Sequence, residues 1–197
     1  MIRNFVFVTF LFGVVGAIGD TVAGPSNGSA IHSAEGRAAI RTGVDLERSR
    51  KWIDAIEFYE KAQKTWPDSK EIRYGLRRSK IHFGIARRYS DTSFEKKLLT
   101  KSKHDSLNLF DSLLRQIRAQ YVEPISSTSF VSHGTESLYL ALGNTKFVQR
   151  NLRNVSPERV KRLRKILRDE SWNLPIAHRL PARDTVSRVC SLAKSIT

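Results

Sequence analysis

Cysteine and acidic residues are both scarce in this chain. Its 197 residues include one Cys, and 19 Asp and Glu stand against 34 Lys and Arg, which gives a formal net charge of +15. A disulfide framework within the chain is excluded, because Cys190 has no second cysteine to pair with. The apolar share of 40% is ordinary for a globular protein, so a wholly disordered chain is excluded despite the charge. The length suits one domain with an appendage.

Long apolar runs are also lacking, except near the first residue. After a short positive start, residues 5–19 form an uncharged run of 15 residues that Asp20 ends. This run is shorter than the about 20 residues of a membrane span and has the length of a signal-peptide core. We therefore predict a signal peptide over residues 1–19 and export to the periplasm or the medium, with membrane anchoring if the signal stays uncleaved. Residues 20–33, rich in Gly, Ser and Ala, are predicted to be a flexible leader.

Strand patterns are absent from the rest of the sequence. From residue 34 onward apolar residues recur at helical spacing, and no alternating run is bounded by turns, so we predict an all-α fold of helical hairpins followed by a small bundle. The helices predicted from apolar stripes and caps are 103–121, 128–142, 156–169 and 182–196. Their predicted inward positions are Leu107, Phe110, Leu114, Ile117 and Tyr121, then Val131, Gly134, Leu138 and Ala141, and in the last helix Val186, Val189, Ala193 and Ile196.

Proline and glycine mark the predicted ends of two of these helices. Pro124 ends the first, because proline cannot continue the helical hydrogen-bond ladder. Gly143 with Asn144 is predicted to close the second as a carboxyl-terminal cap. The last helix has little sequence after it to cover its apolar face.

Six residues near the start of the helical region match the signature of a tetratricopeptide repeat, a helical hairpin of about 34 residues. They are Gly43, Leu46, Ala55, Tyr59, Ala62 and Pro67, at spacings of 3, 9, 4, 3 and 5. Small residues suit the point where two helices cross closely, and proline suits the end of the second helix. We predict such a hairpin over residues 34–69, presenting a concave surface to a peptide or a partner helix. An ordinary hairpin with coincidental Gly and Ala is the alternative.

The positive charge is concentrated in two segments. Residues 70–105 hold eleven basic and four acidic residues, and residues 150–197 hold twelve and four, whereas residues 106–149 hold three of each. The basic residues singled out are Arg77, Arg78, Arg87, Arg88, Lys96 and Lys97 in the first block, and Arg159, Lys161, Arg162, Arg164, Lys165 and Arg168 in the second. They could form a phosphate-tracking face. No nucleic-acid motif accompanies them, so nucleic acid is disfavoured, and the favoured interpretation is a solvated basic face that can touch anionic lipid or an acidic partner.

Motifs for catalysis or metal binding are weak. Two S-x-x-K pairs, Ser93 with Lys96 and Ser191 with Lys194, occur about as often as chance allows and lack the companion motifs of a Ser/Lys nucleophile. The five His are scattered, and none stands four residues from another. Cys190 lies on or beside the apolar stripe of the last helix and is interpreted as a small buried hydrophobe. We predict no catalytic residue, no cofactor and no metal site.

Three stretches share their order with a known protein family. Residues 83–91 read FGIARRYSD, residues 112–124 read SLLRQIRAQYVEP, and residues 133–142 read HGTESLYLAL. Together they resemble the helical region that precedes the PDZ and catalytic domains of carboxyl-terminal processing (tail-specific) serine proteases. In that family a Y-V-x-P run ends one helix, here Tyr121 and Pro124, and the next helix has a Gly and a Leu-rich face, here Gly134 and Leu138.

The resemblance covers residues 40–195 and implies a helical region at 70–197 without chemistry of its own. The PDZ domain, the catalytic Ser and the downstream Lys of the family would lie beyond Thr197, so no catalytic residue carries over. We therefore expect an exported, non-catalytic module that binds a protein or peptide partner, or a second copy of itself. The alternatives are a basic module for nucleic acid or anionic membrane, and a complete enzyme of unknown type.

Overall fold

The computed structural model describes residues 33–120, 127–171 and 182–196, and all regular structure in these ranges is helical. The all-α prediction is thereby confirmed. The helices are α1 (Ala34–Arg48), α2 (Trp52–Thr65), α3 (Lys70–Arg88), α4 (Thr92–Lys97), α5 (Lys103–Gln120), α6 (Ser127–Ala141), α7 (Thr145–Asn151), α8 (Pro157–Ser171) and α9 (Ala182–Ile196). The four helices predicted individually lie within two residues of the observed bounds. The predicted signal peptide, and the leader up to residue 32, lie outside the described residues.

The chain divides into two compact units. Residues 33–84 contain α1, α2 and most of α3, and the described residues from Ile85 onward contain the end of α3 and helices α4 to α9. These are called the first and the second unit below.

Local signals place α1 and the short connection that follows it. The Ser33 side chain accepts a hydrogen bond from the Gly36 amide at 3.1 Å and so caps the start of the helix. At the other end, the Lys51 amide donates to the Leu46 carbonyl at 3.0 Å and the Arg50 amide donates to the Glu47 carbonyl at 2.9 Å. This pair of bonds is a Schellman motif, which needs a left-handed residue, and Arg50 supplies it with φ of 56°. The chain is thereby turned toward α2, which packs against α1.

The core of the first unit is small and centres on α2. Four side chains form its buried cluster: Ala55, Tyr59, Ala62 and Ile72. Five partly buried side chains pack around them: Ile40, Leu46, Phe58, Trp66 and Leu76. The start of α3 is fixed beside this cluster, because the buried Ser69 hydroxyl accepts a hydrogen bond from the Ile72 amide at 3.2 Å.

The core of the second unit is built from the predicted apolar stripes. The buried residues include Leu107, Phe110 and Leu114 of α5, Val131, Gly134, Leu138 and Ala141 of α6, Val160, Leu163 and Leu167 of α8, and Val186, Cys190 and Ala193 of α9. Ile117, Val189 and Ile196 are half-buried at the edges of their stripes. Helix α9 contacts α5, α6 and α8. Its apolar face is therefore covered by earlier helices.

Two short helices, α4 and α7, were not predicted from the sequence. Each begins at a side-chain cap, since Asp91 accepts from the Ser93 amide at 2.8 Å and Asn144 accepts from the Phe147 amide at 3.2 Å. The Ser93 bonds hold the pKa of Asp91 below its usual value. Helix α6 ends at Ala141, just before the predicted cap residues Gly143 and Asn144, but Gly143 does not adopt the left-handed conformation of a glycine cap. Asn144 instead starts the next helix.

Candidate protein-binding surface

The residues of the repeat signature lie mainly inside the first unit. Gly43, Ala55, Tyr59 and Ala62 are buried, and Leu46 and Pro67 are partly buried. Of the other predicted site residues, Gly134 and Leu138 are buried in α6. Tyr121 and Pro124 lie outside the described residues. The buried residues hold helices together, so any partner must contact other side chains.

Tyr59 is held between two glycines from different helices. A Cβ atom built on Gly43 of α1 would lie 2.4 Å from the Tyr59 Cζ atom, and one built on Gly75 of α3 would also lie 2.4 Å from it. Contacts this short are not compatible with any side chain in the present arrangement. The Tyr59 ring therefore occupies the space that glycine leaves on both sides. Gly75 lies outside the repeat signature and was not predicted from the sequence.

A buried carboxylate completes the contact between these three helices. Glu47 of α1 accepts a hydrogen bond from the Tyr59 hydroxyl at 2.7 Å. It also accepts two bonds from the Arg78 guanidinium of α3, from Nε at 2.5 Å and from Nη2 at 2.7 Å. Burial of the phenol, with the neighbouring Glu47 carboxylate, raises the pKa of Tyr59 far above its ordinary value. A bidentate pair of this kind fixes both the register and the angle of the helices.

The outer face of α2 is the side opposite Tyr59. Ile53, Glu57, Glu60 and Lys64 follow one another at steps of four, three and four, which places them on a single line along the helix. Ile53 is 56% exposed, and among the described residues it is the large apolar side chain that is exposed to solvent. We call these four residues the outer face of α2. A helical wheel drawn on the sequence would have placed them opposite the buried Ala55, Tyr59 and Ala62.

A shallow depression of about 550 Å³ lies along this face. It is lined by Glu57, Glu60, Lys61, Gln63 and Lys64, so both charge signs are present. Glu60 is held by an ion pair with Lys80 of α3 at 2.9 Å. An exposed apolar side chain beside mixed charges is an arrangement suited to contact with another polypeptide.

The second basic block lies mostly on the exposed side of α8. The exposed residues are Arg159, Lys161, Arg162, Lys165 and Arg168, and we call them the cationic face. Arg164 does not belong to this set. Its guanidinium lies 4.7 Å from the centre of the Tyr139 ring, in a cation–π contact inside the second unit. The sequence pattern grouped Arg164 with its neighbours because the ring it contacts comes from another helix.

The first basic block is partly used for packing. Arg77 and Arg78 lie over the Tyr74 ring, and Arg78 is paired with Glu47. Burial, with the adjacent Arg87, lowers the pKa of Arg88 to about 10. Arg87, Lys96 and Lys97 are exposed. Of the residues predicted to track phosphate in this block, only the exposed ones are therefore open to a ligand, whereas Arg77, Arg78 and Arg88 are partly buried.

Cys190 is a protonated thiol in the core of the second unit. Burial raises its pKa to about 12, so the nucleophilic thiolate is a minor species at neutral pH. The interpretation of this residue as a buried hydrophobe is confirmed by its 8% exposure. Over residues 33–120, 127–171 and 182–196, no group of three or more His, Cys, Asp or Glu is placed to hold a metal ion. No helix in these ranges has the length and apolar character required to span a membrane.

Comparisons with models of protein families, with curated proteins and with solved structures found no match to this chain. The resemblance to tail-specific proteases stays a prediction. The outer face of α2 and the cationic face of α8 are both exposed and can be reached by a partner.

Proposed function

We propose that this chain is an exported, non-catalytic module that binds a partner protein, or a second copy of itself, through exposed helical surface. The observation that carries the proposal is the outer face of α2, where Ile53 is exposed beside a depression with charged walls. Apolar anchors rimmed by charge are the usual centre of protein contacts. The signal-peptide pattern and the resemblance to the region ahead of a protease domain support the location and the non-catalytic role.

The contact on α2 is tested with a photo-cross-linking residue in place of Glu57, in the full chain within the producing cell. We expect a discrete adduct, and its mass distinguishes a second copy of this 22.4 kDa chain from another protein. An Ile53→Arg substitution in the same chain should remove most of the adduct, because it places a charge at the apolar anchor. Ile53 is exposed, so circular dichroism and the thermal midpoint should be unchanged.

The matched control has the cross-linking residue at Gln116, which is exposed on α5. It should not yield the same adduct. An adduct that survives Ile53→Arg, or that forms equally from Gln116, overturns the assignment of this face. Hydrolysis of an unfolded protein such as casein by the purified chain contradicts the non-catalytic part of the proposal.

A further inference from the structure

The cationic face of α8 is a continuous line of charge on one helix. Lys161, Lys165 and Arg168 follow at steps of four and three, on a helix of 15 residues that is about 22 Å long. Arg162 lies beside Lys165, and Arg159 lies beyond Arg162 at the far edge of the exposed side. The opposite side of the helix is fixed in the core of the second unit by Val160, Leu163 and Leu167. The charges therefore point away from the core, in an orientation that the apolar stripe enforces.

Few carboxylates neutralise this face. Arg168 has Asp169 at 3.3 Å, and the charge of Lys161 helps to hold the pKa of Glu158 below its usual value, after hydrogen bonds within the first turn. Arg162 and Lys165, at the middle of the face, form no ion pair among the described residues. The centre of the face thus has no directly paired carboxylate, and Glu158 and Asp169 each lie one helical turn away from it.

The shape and composition of the face indicate the kind of partner. It is the convex side of a helix with no fully exposed apolar side chain, so it offers no pocket for a peptide and no wedge for insertion into hydrocarbon. No aromatic ring on α8 could stack with a nucleic-acid base. By contrast, a row of long, positively charged side chains is sufficient to bind a planar surface with diffuse negative charge.

We propose that the cationic face docks onto an anionic lipid bilayer through its headgroups, without insertion. The expected location of an exported chain beside a membrane agrees with this partner. This inference is independent of the proposed protein contact, because it uses another helix in the other unit. Each Lys or Arg near an anionic surface strengthens binding about fivefold, so three of them should strengthen binding to the bilayer about 100-fold.

The test compares co-sedimentation of the full chain with vesicles of phosphatidylcholine and with vesicles that also contain phosphatidylglycerol. The ratio of the two partition coefficients removes any contribution of the apolar run at residues 5–19, which acts on both kinds of vesicle. We expect strong preference for anionic vesicles at 0.1 M salt, where the Debye length is about 10 Å, and its loss toward 1 M, where that length is about 3 Å.

The decisive variant carries Lys161→Gln, Arg162→Gln and Lys165→Gln, which keep good helix formers at exposed positions. Its preference for anionic vesicles should fall about 100-fold. The matched control carries Arg41→Gln, Lys51→Gln and Lys70→Gln, which remove the same charge from exposed positions of the first unit outside the outer face of α2. It should change the preference less than about threefold, because those charges are not on the docking helix.

Equal losses in both variants, or no preference of the native chain for anionic vesicles, overturn the proposal. The same proteins are also titrated with a single-stranded oligonucleotide and with poly-glutamate. Tighter binding of either one than of anionic vesicles, removed by the α8 variant, would assign the face to that partner and reject the membrane. Unchanged circular dichroism in both variants shows that the comparison is made between folded proteins.

Discussion

At the scale of single residues, the packing of the first unit requires glycine at positions 43 and 75. The Tyr59 ring is 1% exposed, and the space on each side of it belongs to a glycine. Glycine in a helix interior ordinarily lowers stability by about 1 kcal/mol relative to alanine. Gly43 and Gly75 are therefore retained at a cost, which the packing of the tyrosine offsets.

Replacing either glycine with alanine should destabilise the protein. We expect Gly43→Ala and Gly75→Ala each to lower the free energy of unfolding by about 1–3 kcal/mol, because the added Cβ displaces the Tyr59 ring. Gly84→Ala is the matched control on α3, where an added Cβ meets nothing within 4 Å. It should raise stability by about 0.5–1 kcal/mol through helix propensity. Urea melts of the three variants measure these changes.

The role of the Tyr59 ring is tested by repeating both glycine substitutions in a chain that lacks the ring. In a Tyr59→Ala chain the obstruction is gone, so the same Gly43→Ala and Gly75→Ala substitutions should become neutral or stabilising. This reversal of sign distinguishes steric conflict with the ring from any effect on the backbone alone. A loss of the same size in both backgrounds would show that the ring is not what the two glycines accommodate.

At the scale of secondary-structure elements, prediction worked where a helix carries its own apolar stripe. The stripes of α5, α6 and α9 placed those helices correctly, because helical spacing does not depend on what covers the stripe. The short helices α4 and α7 were missed because each contains too few turns for a period to show. Their starts depend on the single side chains Asp91 and Asn144.

The contacts between elements could be predicted only in part. The signature placed small residues, Gly43 among them, at the helix crossing of a hairpin, but it did not predict that the Tyr59 ring lies between Gly43 and Gly75. The pairing of Glu47 with Arg78 joins residues 31 apart and has no local signal. The exposed faces of α2 and α8 follow from their helical periods, whereas the inward turn of Arg164 depends on Tyr139 of another helix.

The connection between α1 and α2 leads to a prediction about its left-handed residue. Arg50 has φ of 56°, a conformation that costs a residue with a side chain about 1–2 kcal/mol. Arg50→Gly removes this cost and adds backbone entropy to the unfolded chain, so we expect a net gain of about 0.5–1 kcal/mol in unfolding free energy. Arg41→Gly, at an exposed position inside α1, should instead lose about 1 kcal/mol. Chemical melts that show no gain at position 50 would contradict this account of the connection.

At the scale of the whole molecule, the net charge of +15 affects the stability of the folded chain as well as its contacts. Positive charges brought together on folding repel one another, and salt weakens this repulsion. The attraction between Glu47 and Arg78 is less affected, because their side chains are only 10% and 25% exposed. Repulsion between exposed cations should thus be screened more strongly than the main internal ion pair.

Sodium chloride should therefore stabilise this protein. Between 0.01 M and 0.1 M salt the Debye length falls from about 30 Å to about 10 Å, and a gain of about 1 kcal/mol would raise the Tm by about 2–4 °C. The variant with Lys161→Gln, Arg162→Gln and Lys165→Gln has three fewer positive charges and should gain less. Calorimetry at both salt concentrations measures the difference. A Tm that falls with salt would mean that attractive surface pairs outweigh the repulsion, and that the excess of cations is dispersed over the surface instead of concentrated as on α8.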